Sequence, residues 1–279
     1  MRGGAGLTRI AWGEAMLKLG LSTAAYYGRY ETEEAGALMA SMPLDCCEVF
    51  LECAAEYTAA FGAEVKRALG GLPARSVHPK GTQFEDGLFG RSARQRAEAL
   101  RTFEGVLAAG RALGADAYVF HGMPDLHRRG AGPNMQAHAH TVRALCARAR
   151  DYGMRLAWEN VWWCQMSRPE HVALVREAAP EARFVLDVKQ ALHIGIDPLD
   201  FLPAMGERLL NVHVCDVDAA GALCLPGRGV FDFAAFFRAL RDHGYDGPVI
   251  LEPYAHLFER QDEIEDALAA LRAAMERAD

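Results

Sequence analysis

The chain has 279 residues, of which 51% are apolar and 24% charged, with a formal net charge of −7. That is the composition of an ordinary globular protein, long enough for one large α/β domain or two small ones. The acidic balance, with no basic run longer than three residues, speaks against a grip on nucleic acid, and no apolar run has the length that crossing a bilayer needs.

The opening MRGGAGLTRIAWGEAMLKLG has basic residues but no sustained apolar segment followed by a small-residue cleavage site. Residues 1–16 are therefore expected to be a flexible N-terminal extension, residues 17–279 the folded domain, and the protein cytoplasmic. The seven cysteines are an odd number with no CxxC pair, which argues against a disulfide framework or a zinc ribbon. Most are expected to be small buried hydrophobes. Cys164 and Cys215 fall near the site described below, but nothing around them activates a nucleophile.

From Leu17 onward strand-like and helix-like segments alternate. Strands are expected near 17–22, 46–51, 73–78, 116–121, 154–159, 183–187, 209–214 and 248–252, at roughly the 30-residue spacing of a βαβ unit. Between them, Ser92 with Gln95 forms a capping box ahead of a long helix ending at Gly114. Asn134 caps a helix that runs to Gly153. Ser167 with Glu170 makes a second capping box with Pro169 in its first turn. Asp197 and Pro198 open a short helix, Asp232 caps a Phe-rich helix that stops at Gly244, and an amphipathic helix from about Arg260 ends the sequence. No Pro/Ser-rich linker divides it. A single-domain (β/α)8 barrel is the simplest reading, with a doubly wound open sheet as the alternative.

The barrel reading rests on what ends the strands. Glu159 follows MRLAW, Asp187 follows RFVL, His213 follows LLNV and Glu252 follows PVIL; His78 and His121 end two earlier runs. In a parallel barrel every strand delivers its last residues to one mouth. With i and i+2 on one face, Glu159 sits over Ala157, Asp187 over Val185, His213 over Asn211 and Glu252 over Ile250. Three carboxylates crowded there would drive one another's pKa upward, a conflict that a divalent cation removes. Any one of these residues alone is more simply a solvated loop acid or an interior histidine. Four in succession point to a metal site at Glu159, Asp187, His213 and Glu252.

His78 and His121 have two uses open to them: hydrogen bonds to substrate oxygens, which is favoured, or a second ion shared with Glu159. Trp162 and Trp163 could cover the apolar face of a sugar ring, or simply pack their loop. Lys189, Lys80 and Arg228 are placed to neutralise a substrate phosphate or carboxylate. The PGRG segment at 226–229 lacks the ending of a phosphate-binding P-loop.

ENVWW (159–163), LDVKQA (186–191), NVHVCD (211–216), LPGRGVFDF (225–233) and VILEPY (249–254) together resemble the xylose isomerase-like barrel superfamily, and within it the sugar phosphate isomerase/epimerase group. The likeness runs from Leu17 to the end, and the Gly-x-Gly-x-x-Asp-Phe turn is among its more specific features. It implies one divalent ion (Mn, Mg, Co or Zn) on Glu159, Asp187, His213 and Glu252, with a possible second at His78, His121 and Glu159. It also implies that the two glutamates are the proton-transfer pair in an isomerase or epimerase working through an enediolate. The substrate would be a small carbohydrate, sugar phosphate or keto-acid, with neither nucleic acid nor membrane as partner. No interface for a homo-oligomer is diagnostic, although such barrels often pair.

Many relatives read Asp-x-x-His on strand six where this protein has Gln190, a residue that hydrogen-bonds a hydroxyl but ligates a metal poorly. The same departure removes the third metal site of an endonuclease IV-like phosphodiesterase. The remaining alternatives are a metal-dependent lyase or dehydratase and a non-catalytic sugar-binding barrel.

Overall fold

Strands buried on both faces read as nearly unbroken apolar runs, and in the computed structural model, which describes residues 17–126 and 132–278, eight such runs close into one barrel. They are β1 (Lys18–Ser22), β2 (Cys46–Leu51), β3 (Ala74–Pro79), β4 (Ala117–Phe120), β5 (Arg155–Glu159), β6 (Arg183–Asp187), β7 (Leu209–Val214) and β8 (Pro248–Leu251). Each pairs in parallel with the next. The ring closes where Leu19 of β1 stands opposite Val249 of β8. The expected strands are all present, with His121 and Glu252 one residue beyond the strands they end. The expected extension, 1–16, lies outside the described residues.

The outward faces of β4 and β5 carry Tyr118, Phe120 and Trp158, all fully buried under the helical layer. Phe120 and Trp158 meet edge to face at 5.2 Å. The inward faces are different. Val119, Ala157 and Val185 form a separate apolar cluster inside the barrel, with Leu210 packed against it. Each of the first three lies two residues before a site residue (His121, Glu159, Asp187), so this cluster sits one pleat deeper than the site and plugs the barrel beneath it. At the far rim Asp116 pairs with Arg75 and Arg155, each at 2.9 Å.

The helices start and stop where the sequence places them, but neither expected capping box is complete: Ser92 caps through its hydroxyl alone. Ser92, Asn134 and Asp232 accept hydrogen bonds from the backbone N–H groups of Gln95, Ala137 and Ala235. Gly114, Gly153 and Gly244 take the left-handed conformation at or just after the helix ends. The box expected from Ser167 and Glu170 does not form. The helix Pro169–Ala178 begins with Arg168 as its cap, and the Ser167 N–H donates to His171 Nδ1 instead. Among the described residues, no helix is long and apolar enough to cross a membrane. The seven cysteines are all free, and five are buried.

Candidate metal centre and its cavity

The ends of β5, β6, β7 and β8 bring Glu159, Asp187, His213 and Glu252 together. Each offers one ligand atom, and these atoms lie within 4.8 Å of one another in fully buried or nearly buried positions. His213 Nδ1 is the hub. It is 3.3 Å from Glu159 Oε1, 3.4 Å from Glu252 Oε2 and 4.0 Å from Asp187 Oδ2, yet it makes no directed hydrogen bond. Its other nitrogen, Nε2, lies 3.0 Å from Glu48 Oε2. A carboxylate on one imidazole nitrogen fixes the tautomer and turns the lone pair of the other outward. An orphaned imidazole nitrogen ringed by three carboxylates is a donor set that Mn, Mg, Co or Zn accepts.

Glu48 was not among the residues the sequence singles out. It lies in the middle of β2 and is completely buried. Besides His213 it meets His78 Nδ1 at 3.3 Å and accepts from Ser22 Oγ (3.2 Å), Ser76 Oγ (2.7 Å) and Asn211 Nδ2 (3.1 Å). Burial pushes its carboxyl up, but His213 and His78 outweigh that and hold it at about 2. Glu85 is a second residue without a sequence signal. From the turn after β3 it accepts from the backbone N–H groups of His121 and Gly122, each at 2.9 Å, and from the Tyr118 hydroxyl at 3.0 Å. It thereby anchors the stretch that carries His121.

His78 and His121 meet the cluster from β3 and β4. Their Nε2 atoms are 2.8 Å apart, and His121 Nε2 is 2.9 Å from Glu159 Oε2. His78 Nδ1 is 3.4 Å from Glu252 Oε1. Each glutamate is thus backed by an imidazole. His78, His121 and Glu159 also place one ligand atom each within the same 4.8 Å limit.

The charges follow from this crowding. Burial opposes ionisation of Glu159, yet His121 and His213 hold it well below the usual carboxylate range. Glu252 is likewise held down, against burial, by Lys189 and His213. Asp187 goes the other way: burial raises it, Lys189 opposes, and Glu159 and Glu252 add to the rise, leaving it at about 7. Burial would lower His78, but Glu252 and Glu48 lift it to about 10.

Lys189, the first basic residue after Asp187, is 6% exposed. Its ammonium bridges Asp187 Oδ2 and Glu252 Oε2. Gln190 accepts from the Trp162 backbone N–H at 3.3 Å and also lines the cavity.

That cavity, about 610 Å³, opens above the cluster, and Tyr27, Phe50, Val161, Trp163, Tyr254 and His256 contribute to its wall. It has the size and the mostly apolar character of a small-molecule site with a few polar groups at its base. Of the two tryptophans the sequence offers, Trp163 lines this cavity, and the exposed His256 stands at its wall. Trp162 packs at a tilt against His193, with ring centroids 4.4 Å apart, and does not line this cavity. His171 is buried.

Arg228 does not reach the cavity either; its guanidinium pairs with Glu263 at 2.8 Å. The glycine-rich turn around it has a local task. Asp216, two residues past β7, accepts from the backbone N–H groups of Val217, Gly227, Gly229 and Phe231. A Cβ on residue 229 would fall 2.2 Å from Asp216 Oδ1, so glycine there lets the loop close on the carboxylate.

The model of the family described as "Xylose isomerase-like TIM barrel" matches residues 36–274. A 3-dehydroshikimate dehydratase of Pseudomonas aeruginosa is 29% identical over 149 residues, 49% of this chain but 24% of that protein. The aligned stretch thus takes in about a quarter of that relative's length. Among solved structures, a D-psicose 3-epimerase from Clostridium cellulolyticum H10, crystallised with D-tagatose, superimposes with a TM-score of 0.75 at 16% identity, covering 94% of this chain and 100% of that one. The IOLI protein, solved with a bound zinc atom, gives a TM-score of 0.71 at 16% identity over 94% and 98% of the two proteins. At these identities the structural likeness is one of fold, and the family match carries the assignment: this chain belongs to the xylose isomerase-like TIM barrel family.

Proposed function

We propose that this protein is a divalent-metal-dependent isomerase or epimerase that moves a proton on a carbon next to a carbonyl of a small carbohydrate-type substrate. The observation that carries the reading is the pair of glutamates, Glu159 and Glu252, set 3.3 and 3.4 Å from the same unpartnered His213 nitrogen at the base of a cavity. Glu159, Asp187, His213 and Glu252 would hold the ion, and when bound it would supply the positive charge that makes an enediolate accessible. Glu159 and Glu252 come from strands three places apart in the barrel, so they face a substrate from different sides. One removes the proton and the other returns it. Both are held in the ionised form that a base must have.

His78 and His121 bind substrate oxygens and share protons with the glutamates they touch. Their Nε2 atoms already stand at hydrogen-bond distance from each other, which favours this use over a second ion. Lys189 and Gln190 complete the polar base, and Tyr27, Trp163 and Tyr254 cover the apolar C–H groups of a ring or an open carbon skeleton. Neither Arg228 nor Trp162 is retained as a substrate contact. The similarity to epimerases of the same fold supports the reading.

Incubating Mn-loaded protein with a panel of ketoses and keto-acids in deuterated water tests it. One substrate should gain a single deuterium by mass, and loss of the signal on chelation should accompany loss of turnover. A panel without exchange, from protein shown to hold the ion, rejects the proposal. The similarity to a dehydratase supports a second outcome, in which the same proton removal is followed by departure of a β-hydroxyl. The product then lacks one water, which the same mass measurement reads.

A further inference from the structure

Lys189 lies in the first turn of the helix Val188–His193, and its side chain turns back over the ligand cluster. The two oxygens it touches, Asp187 Oδ2 and Glu252 Oε2, are the same two that face the orphaned His213 Nδ1, at 4.0 and 3.4 Å. A divalent ion held by Asp187, Glu252 and His213 would sit at about 2.0–2.2 Å from those oxygens. An ammonium within hydrogen-bond reach of both oxygens would then lie almost in contact with the ion. Two cations that close, in a buried site with little water between them, repel strongly. The ammonium and the ion therefore compete for one position.

The lysine has somewhere to go. Lys189 lines the cavity together with Tyr254, and its Nζ already stands 6.0 Å from the centre of the Tyr254 ring, whose face accepts a cation. The motion needs only a rotation of the flexible four-carbon stem, without movement of the backbone.

We propose that Lys189 is a tethered counter-ion: in the ion-free protein its ammonium holds Asp187 and Glu252 together, and a divalent cation entering the site displaces it toward the cavity and the Tyr254 ring. The inference rests on the metal-dependent reading above. It adds that the ion-free cluster does not fly apart from carboxylate repulsion, because the protein brings its own replacement charge. It adds also that the cavity gains a cation when the site is loaded.

Titration calorimetry of Mn2+ into wild type and K189M tests the competition. Each should bind one ion, and K189M should bind at least tenfold more tightly, since nothing has to be displaced. A K189M affinity equal to or weaker than that of wild type overturns the inference. A second measurement uses only wild-type protein and so survives a poorly folded variant. Lysines are acetylated under limiting reagent with and without Mn2+, and the Lys189 peptide is followed by mass. Lys189 should be protected in the ion-free protein and become reactive when Mn2+ is bound, while Lys66, on the outer helix Ala59–Ala68, should not change. Unchanged protection in protein that calorimetry shows to be loaded overturns displacement and leaves the metal-dependent reading standing. No Mn2+ binding to either protein brings down both.

Discussion

Glu48 and His213 are 165 residues apart in sequence and meet at 3.0 Å inside the barrel, Oε2 against Nε2. That contact aims the other nitrogen of His213 at three carboxylates. It gives a buried imidazole one free nitrogen with a fixed direction, and it is the relationship on which the proposed site most depends.

Replacing Glu48 by Gln keeps the volume and removes the charge. Partners of this kind behind a ligating histidine are typically worth 10–100-fold in metal affinity. E48Q is expected to lose Mn2+ affinity by about that factor, measured by calorimetry, with an unchanged far-ultraviolet circular dichroism spectrum. Equal affinity in the two proteins would mean that Asn211 and the strand alone orient His213.

The two glutamates should fail in the same assay. At saturating Mn2+, E159Q and E252Q are each expected to slow deuterium wash-in by about 10²–10⁴-fold, the usual range for a positioned acid or base. Full exchange in both variants would remove them from the proton path.

Glu52, just beyond β2, gives a pH effect away from the ligands. Burial first, and then the neighbouring Glu56 charge, raise its carboxyl from the ordinary range to about 7. Between the ordinary value and 7 the folded protein therefore keeps a proton that the unfolded one has released. The associated stability is complete at low pH and disappears as pH rises through 7. E52Q should accordingly melt with wild type at about pH 4 and above it at about pH 8, where only the wild type carries the half-buried charge. Parallel melting curves across that window would contradict the assignment.

Gly122 follows His121 at φ +77°, and a Cβ there would fall 2.6 Å from the Trp158 ring. That ring donates its Nε1–H to the His121 carbonyl at 2.9 Å. G122A combines backbone strain with a steric overlap and is expected to lose about 1–3 kcal/mol in urea denaturation. A neutral result would show that the β4 end can shift without penalty.

The barrel was legible because most of its strands are apolar runs that stop at a side group a core does not tolerate. The same signature found Glu159, Asp187, His213, Glu252, His78 and His121, which the structure brings together. Glu48 escaped because it sits inside a strand, at a position where a lone acid looks like an outward-facing residue until the register with Ser76 of β3 is known. Glu85 escaped because its partners are backbone N–H groups, which no sequence pattern marks. Arg228 and Trp162 were placed by proximity to motifs. Their directions depend on Glu263 and His193, residues that local reading does not connect to them. The Ser167 box failed for a similar reason, since His171 takes up the Ser167 N–H.

The apolar plug of Val119, Ala157 and Val185 makes the barrel a blind well. Under the proposed function, ion, substrate and product would share the mouth of this cavity, so a product would depart by the route its successor needs. The opposite end, ringed by Arg75, Asp116 and Arg155, is left at liberty to change without touching the chemistry.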